Sequence, residues 1–222
     1  MIRAAGAKFG MQVGSKEGAR QALDAGADFL ICQGTEAGGH VQGHRGLYEA
    51  LPMVLDEAKD KTVVAAGGIS NGAAIHKALA AGASAALLGT RFVATIESLA
   101  HDEYKKALLT AGAGDTALSM CFQDLFPQPH RALRNSIFLD WEAAGCPQPG
   151  SRPGEGDRVF TRNGASILRY QVSVPLAGST GRLGEAAMYA GMGVGDVRDL
   201  PSAGDLVKRL WSEAQAAHRS AR

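Results

Sequence analysis

The 222 residues carry 23 lysines and arginines against 22 aspartates and glutamates, a formal net charge of +1, so no nucleic-acid or membrane-surface partner is expected. A hydrophobic fraction of 45% accompanies 29 glycines, which favours a packed domain with many tight turns over disorder. The three cysteines are far apart, odd in number and in no metal-binding spacing, so we expect reduced thiols, no metal site and a cytoplasmic protein.

The first half of the chain predicts alternating strands and helices. The predicted strands are Phe9–Val13, Asp28–Cys32, Thr62–Ala66 and Ala85–Leu88. The predicted helices are Lys16–Ala25, Leu47–Lys59, Asn71–Ala81 and His101–Ala111. Short strands that read as unbroken apolar runs are typical of parallel strands buried on both faces.

The pattern changes after Gly112. Residues 113–145 read as irregular apart from a helical stretch at Ile137–Ala144, and the proline- and glycine-rich residues 146–157 read as a surface loop. A further helix is predicted at Arg182–Gly191. Ser202 is a predicted N-cap for a last amphipathic helix that runs to about residue 218.

An internal repeat supports a parallel α/β sheet. The segment Ala22–Asp28, an apolar strand and Gly34-Thr35 recur as Ala78–Ser84, a strand and Gly89-Thr90. Each copy is a helix that ends at Ala-Gly-Ala, then a buried strand, then a glycine turn. Repetition of this unit favours a β/α barrel.

The number of units predicts only part of a barrel. Four strand–helix units precede the irregular region, whereas an eight-stranded barrel takes about 250 residues. Residues 4–7 resemble the end of a helix that leads into the first strand. We therefore expect residues 1–112 to be the C-terminal half of a TIM-type (β/α)8 barrel, residues 113–200 an irregular and helical substrate-side region, and residues 201–222 a terminal amphipathic helix. Half a barrel alone would expose two sheet edges.

A histidine ends the glycine-rich turn Gly34-Thr35-Glu36-Ala37-Gly38-Gly39-His40, directly after the second predicted strand. Parallel α/β folds place their chemistry at the carboxyl ends of strands. Small residues let a flat ligand approach the backbone, and an imidazole can donate, accept or carry a proton near neutral pH. A purely structural turn would not need the polar residues around Gly38 and Gly39, so His40 is the candidate catalytic residue.

Two further glycine turns follow the next two predicted strands, at Gly67-Gly68 and at Leu87-Leu88-Gly89-Thr90. Backbone N–H groups bared by glycines, together with a helix N-terminus, form an anion site without a basic side chain. The alternative for the first turn is a tight connection capped by Ser70 or Asn71. Two such turns on adjacent strands match the phosphate site of barrels better than either turn alone.

Other polar residues carry weaker expectations. Arg91 either contacts a phosphate or pairs with a surface acid, and Glu97 reads as a capping acid without a catalytic role. Tyr189 and Met192 lie on a glycine-broken segment that either folds over a ligand or packs in the core. The remaining histidines are expected on solvated faces or in loops: His44, His76, His101, His130 and His218.

Three segments, Gln33–His40, Ala66–Ile69 and Leu88–Phe92, resemble the nitronate monooxygenases in order and spacing. The similarity runs from residue 9 to about residue 200. The resemblance implies a TIM-like barrel with a smaller helical domain that binds FMN without covalent attachment. It is specific to this group of FMN barrels and less specific to one reaction within the group.

The resemblance also implies roles for individual residues. The implied flavin contacts are Gln33, Gly38 and Gly39 beside the ring system, and Gly67, Gly68, Leu87, Leu88, Gly89 and Thr90 at the phosphate. His40 matches the family's active-site histidine, which hydrogen-bonds an anionic nitronate or takes a proton from a neutral nitroalkane. Tyr189 and Met192 would lie on the substrate side. The implied reaction oxidises a nitronate with dioxygen to a carbonyl compound and nitrite, with FMN supplying the redox chemistry.

Two departures from the family keep other functions open. The family's N-terminal half-barrel is expected to be missing, and Met192 stands where the family often has glutamine. One alternative is an FMN-dependent enoyl-acyl-carrier-protein reductase that uses NAD(P)H and shares the Glu-Ala-Gly-Gly-His pattern. A non-flavin aldolase or isomerase would normally place a lysine on a strand, and none is predicted there. An inactive truncated remnant is the third alternative, and a homo-oligomer is one possible assembly.

Overall fold

A computed structural model of the chain describes residues 6–124 and 126–221. The strands are β1 (Gly10–Val13), β2 (Phe29–Gln33), β3 (Gly39–His40), β4 (Thr62–Ala66), β5 (Ala85–Leu87), β6 (Thr116–Ser119), β7 (His130–Leu133), β8 (Arg158–Arg162), β9 (Ala165–Leu168) and β10 (Thr180–Gly181). The helices are α1 (Lys16–Asp24), α2 (Leu47–Ala58), α3 (Gly72–Ala80), α4 (Thr90–Val93), α5 (Asp102–Thr110), α6 (Ser136–Ala143) and α7 (Ala203–Ser220).

The chain divides into two compact units. The first contains the residues up to Ala37, then Val41–Gly89, and the C-terminal residues from Gly204. The second contains Gly38–His40 and Thr90–Ala203. The boundaries differ from those of the three predicted regions. The chain passes from the first unit to the second after Gly89 rather than after residue 112, and most of α7 belongs to the first unit. The predicted helix end at residues 4–7 lies largely outside the described residues.

The first unit is built on a four-stranded parallel sheet in the order β1-β2-β4-β5. In the register of the sheet, Gln33 pairs with Ala66, and Ala66 pairs with Leu87. The carboxyl ends of three neighbouring strands are therefore aligned at one edge. The predicted parallel α/β arrangement is confirmed, and the predicted strand bounds agree with the structure to within one residue.

Helices α1 and α3 of the first unit begin at side-chain caps, and small or branched residues pack against the sheet. Ser15 accepts a hydrogen bond from the Gly18 N–H at the start of α1 (3.0 Å), and Asn71 accepts one from the Ala74 N–H at the start of α3 (2.8 Å). The core combines strand and helix residues, including Leu30, Cys32, Leu47, Leu51, Val54, Val63 and Ala65. The predicted cap at Asn71 is confirmed.

The second unit contains two small antiparallel sheets, β3-β7-β6 and β10-β8-β9. Residues 113–145 were expected to be irregular, but they include β6 and β7, so that expectation is wrong. Each of these strands has four residues and mixes polar with apolar side chains, as in His130-Arg131-Ala132-Leu133. So short a segment gives no clear alternation, and cross-strand pairing decides its structure.

The predicted helix at Arg182–Gly191 is also wrong. The segment has only a short 3₁₀ turn at Leu183–Glu185, and a second turn follows at Met192–Asp196. Between them the backbone pairs with the sheet, because the Leu133 N–H donates to the Met188 carbonyl (2.8 Å). Pairing across the sheet replaces the intrahelical hydrogen bonds that the apolar pattern suggested. Across residues 6–124 and 126–221, no helix has the length and apolar character needed to cross a lipid bilayer.

Candidate active site

The turn after β2 is closed by the side chain of Gln33. This side chain is buried, and its Oε1 accepts a hydrogen bond from the Gln42 N–H (2.9 Å). The Gly34 N–H donates to the Ala66 carbonyl (2.9 Å), which extends the β2–β4 pairing into the turn. Gln33 thus holds together the two ends of the loop that carries His40. Its predicted flavin contact remains a prediction.

Glu36 and Gly34 have structural roles in the same turn. The Glu36 carboxylate accepts the Leu47 N–H at the start of α2 (2.9 Å), where the N-cap residue Gly46 has no side chain to do so. A Cβ on Gly34 would collide with the Leu47 backbone and with the Glu36 carboxylate. Glu36, one of the polar residues that a purely structural turn was not expected to need, is therefore a helix cap.

Gly38 and Gly39 give the loop its shape. A Cβ on Gly38 would lie 2.6 Å from the Gly191 nitrogen, so the two backbones approach as closely as they do only because Gly38 has no side chain. Gly39 has a φ of +78°, a conformation that side chains disfavour. Both glycines thus have structural reasons to be present, apart from the predicted flavin contact.

His40 lies in a cluster of aromatic rings within the second unit. The centroid of its ring is 4.5 Å from that of Phe126, 5.6 Å from that of His130 and 5.7 Å from that of Tyr189. His40 is paired with His130 across the β3–β7 ladder, which places the two imidazoles side by side. Partial burial lowers the pKa of His40 below its usual value, so its imidazole is neutral near pH 7.

His130 was expected on a solvated face or in a loop, and this expectation is wrong because it lies in β7 with its side chain completely buried. Its Nε2 accepts the Phe122 N–H (2.9 Å), so the proton is on Nδ1, which faces the Gln128 carbonyl (3.2 Å). Burial lowers the pKa of His130 to about 4. The only sequence signal was a histidine before Arg-Ala-Leu, which does not distinguish a buried strand from a loop.

Tyr189 joins the ring cluster and also packs against the hydrophobic core of the second unit, while Met192 is exposed. The substrate-side role of both residues stays a prediction. The Tyr189 hydroxyl donates to the Val172 carbonyl (3.1 Å), and its own carbonyl accepts the hydroxyl of Tyr104. Burial raises the pKa of Tyr189 to about 12, so the phenol stays protonated. Sequence reasoning missed Phe126, because a lone aromatic residue in a loop gives no periodic signal.

The other glycine turns lie at the aligned strand ends of the first unit. Gly67 and Gly68 have φ values of +122° and +68°, and a Cβ on Gly67 would come 3.2 Å from the Gly34 backbone. Gly89 is different, since its φ is outside the left-handed region and nothing lies within 4 Å of where a Cβ would be. The fold leaves room for a side chain at Gly89, and an anion held against the backbone would explain the glycine there.

The N-terminus of α3 contributes less to an anion site than the sequence indicated. The Gly72 N–H donates to the Glu213 carboxylate (2.9 Å), and Asn71 occupies the Ala74 N–H. A carboxylate at the helix N-terminus already occupies the favourable end of the helix dipole. The helix N-terminus therefore adds little to the predicted anion site, which would depend on the turns at Gly67-Gly68 and Leu87–Gly89.

Thr90 and Arg91, which follow Gly89, make their contacts within the second unit. Arg91 is buried, and its guanidinium pairs with the carboxylate of Asp199 and reaches the Ala94 carbonyl (3.1 Å). This pairing is the alternative to a phosphate contact. The Thr90 hydroxyl accepts the Gly191 N–H (2.9 Å), so its oxygen supports the segment that packs on Gly38.

The predicted site residues fall into two groups. The first unit aligns Gln33, Gly67, Gly68, Leu87, Leu88 and Gly89 at the carboxyl ends of its strands. The second unit places His40 and Tyr189 together with Phe126 and His130. Among residues 6–124 and 126–221, no three histidine, cysteine or acidic side chains are grouped as a metal would require.

The chain is an α/β protein whose parallel sheet has glycine turns aligned at the carboxyl ends of its strands. The family model described as nitronate monooxygenase matches residues 3–213, nearly the whole chain. The chain belongs to the nitronate monooxygenase family.

Individual comparisons agree with this membership. A nitronate monooxygenase of Pseudomonas aeruginosa is 36% identical over 200 residues, which cover 85% of this chain and 52% of that protein. The crystal structure of a nitroalkane oxidase of Streptomyces ansochromogenes is 35% identical with a TM-score of 0.76, and the match covers all of this chain and 61% of that one. FabK of Thermotoga maritima has a TM-score of 0.77 over all of this chain and 65% of its own, at 24% identity, which is a likeness of fold alone. The chain thus spans about half the length of the curated relatives it matches.

Proposed function

We propose that this chain carries the histidine-bearing part of an FMN-dependent oxidoreductase that converts alkyl nitronates, with dioxygen, to carbonyl compounds and nitrite. Membership of the nitronate monooxygenase family supports the reaction class. The observation that carries the proposal is the position of His40, which the Gly38-Gly39 turn places in a cluster of aromatic rings.

The glycine turns of the first unit fit the phosphate group of FMN. The backbone at Gly68 is in a conformation that favours glycine, and the space beside Gly89 is open. The amides of Gly67, Gly68 and Leu87–Gly89 would hold the phosphate, and Gln33 would lie beside the flavin ring. When bound, FMN supplies the redox chemistry between nitronate and dioxygen.

His40 would act on the nitro group and on the carbon next to it. A neutral imidazole donates one hydrogen bond, which suits an oxygen of an anionic nitronate. Its second nitrogen can accept a proton from the α-carbon of a neutral nitroalkane. Because burial lowers the pKa of His40, this base stays unprotonated at pH 7 and loses its function only at lower pH.

We also propose a barrel architecture for the fold around the site. The order of the strands across the parallel sheet, β1-β2-β4-β5, is also their order along the chain, as it is in a barrel. The relatives that the chain matches are about twice its length. These two observations support the hypothesis that the sheet is the C-terminal half of a (β/α)8 barrel, with residues 113–200 on the substrate side.

Nitrite release from ethyl nitronate by the FMN-loaded chain tests the function. His40→Ala is expected to lower kcat by about 100-fold or more, the usual size of a lost acid–base group, while FMN stays bound. His44→Ala is the matched control, since His44 is an exposed histidine four residues away. Anaerobic bleaching of the flavin by NADH, with none by nitronate, would instead support the reductase. Turnover unchanged in His40→Ala would refute the catalytic assignment.

A further inference from the structure

An aromatic side chain on a loop packs edge-to-face against the ring of His40. The loop, here called the Phe126 loop, comprises residues 122–124 and 126–130. Phe126 is 48% exposed, although its ring meets that of His40 at a centroid distance of 4.5 Å and an angle of 77°. One part of the Phe126 ring therefore packs on the imidazole, and the rest is available for contact with a bound molecule.

Both ends of the Phe126 loop are fixed by His130. The Nε2 of His130 accepts the N–H of Phe122, and its Nδ1 faces the carbonyl of Gln128, so a single buried imidazole joins the two sides of the loop. A second anchor is the ion pair between Asp124 and the buried Arg152 (2.6 Å). Phe126 is thus held over His40 by contacts made elsewhere in the loop.

Phe126 is the exposed ring beside His40, and the polar atoms of the other two rings face the backbone. The ring nitrogens of His130 face backbone groups, and the Tyr189 hydroxyl donates to the Val172 carbonyl. Phe126 has no polar atom in its side chain. Within this cluster of four rings, a ligand would meet polar chemistry at His40 and hydrocarbon at Phe126. This arrangement fits a small molecule with one polar head and an alkyl chain.

We propose that Phe126 is a specificity-determining residue that packs against the alkyl chain of a nitroalkane or nitronate whose nitro group binds His40, and that His130 positions Phe126. The inference rests on the proposed function and names its substrate class as hydrocarbon-chain nitro compounds. His130 acts through the Phe126 loop and needs no contact with the substrate.

Protection of His40 from diethyl pyrocarbonate tests the inference without flavin or turnover. Modification is read by peptide fragmentation, which separates His40 from the exposed His44. In the chain without substitutions, 1-nitrobutane is expected to protect His40 at about tenfold lower concentration than nitroethane, because two further methylenes contact the Phe126 ring. In Phe126→Ala this ratio is expected to fall to about twofold. Leu139→Ala, which removes a side chain of equal 48% exposure on α6, is expected to leave it unchanged.

Two variants of His130 separate positioning from general stability. In His130→Phe, which keeps an aromatic ring without the two hydrogen bonds, His40 is expected to react faster and the ratio to fall. In His130→Gln, the amide can accept from the Phe122 N–H and donate to the Gln128 carbonyl. The reaction rate of His40 and the protection ratio are therefore expected to equal those of the parent chain. The ratio of kcat/KM for butyl nitronate to kcat/KM for ethyl nitronate is then measured in the FMN-loaded form of each protein, and it is expected to change in the same direction as the protection ratio.

The possible outcomes are distinct. An unchanged protection ratio in Phe126→Ala, or no protection by either nitroalkane, overturns the inference. A His130→Gln variant that behaves like His130→Phe overturns the positioning role. Chain-length-dependent protection without any nitrite release refutes the proposed function and leaves the binding preference standing.

Discussion

The buried imidazole of His130 makes the stability of the second unit depend on pH. In the folded protein its pKa is lowered to about 4, whereas in the unfolded chain it is about 6.5. Unfolding between these values takes up a proton, so the free energy of unfolding decreases as the pH is lowered. The stabilisation is complete above pH 6.5 and is lost as the pH falls towards 4.

The size of the effect follows from the two pKa values. A tenfold change in proton affinity is about 1.4 kcal/mol, so the full difference is about 3 kcal/mol. At pH 5 the unfolded chain is almost fully protonated at this site and the folded protein is not, so about 2 kcal/mol is lost relative to pH 7.5. A loss of this size is a large part of the stability of a small domain.

Urea unfolding followed by Trp141 fluorescence measures this effect. A Trp211→Phe background removes the second tryptophan, so the signal reports the second unit through its buried Trp141. His130→Gln keeps partners for Phe122 and Gln128 but does not titrate. Between pH 7.5 and 5 the parent is expected to lose about 2 kcal/mol more than this variant, with unchanged m-values. Parallel pH profiles for the two proteins would show that His130 is not held neutral by the fold.

Three further predictions test the backbone of the site. Gly89→Val is expected to weaken FMN binding at least tenfold in a fluorescence titration while riboflavin, which has no phosphate, binds as before; equal losses for both ligands would refute the phosphate site. Gly68→Val is a poorer test, because its φ of +68° strains any side chain. Gly38→Ala is expected to destabilise the second unit by about 1–3 kcal/mol in urea, since its Cβ would meet the Gly191 backbone. Glu36→Ala is expected to cost about 1 kcal/mol of stability through the lost helix cap; loss of turnover at full stability would contradict that role.

The strands and helices of the first unit could be predicted from the sequence because their signals lie within short stretches of the chain. An unbroken apolar run such as Val63–Ala66 marks a strand of a parallel sheet, although Val64 is only partly buried in the structure, so burial on both faces is not complete. The Ala-Gly-Ala sequence after α1 and α3 marks helix ends, and Gly26 and Gly82 take the positive φ values that this requires. In the second unit, by contrast, four-residue strands depend on partners far along the chain. The pairing of His40 with His130 joins residues that no local pattern relates.

The motif Gln33–His40 combines residues that shape the loop with one that is suited to chemistry. Gln33, Glu36 and Gly38 each have a structural contact that explains them, a loop closure, a helix cap and a close backbone approach. A loss of activity on substituting any of these would therefore not by itself indicate a catalytic role, since the position of the loop would change as well. Measuring turnover and stability on the same variant distinguishes a catalytic role from a structural one, for the glycines of the motif as well. His40 is the residue for which we expect turnover to fall while FMN binding and the urea midpoint stay unchanged.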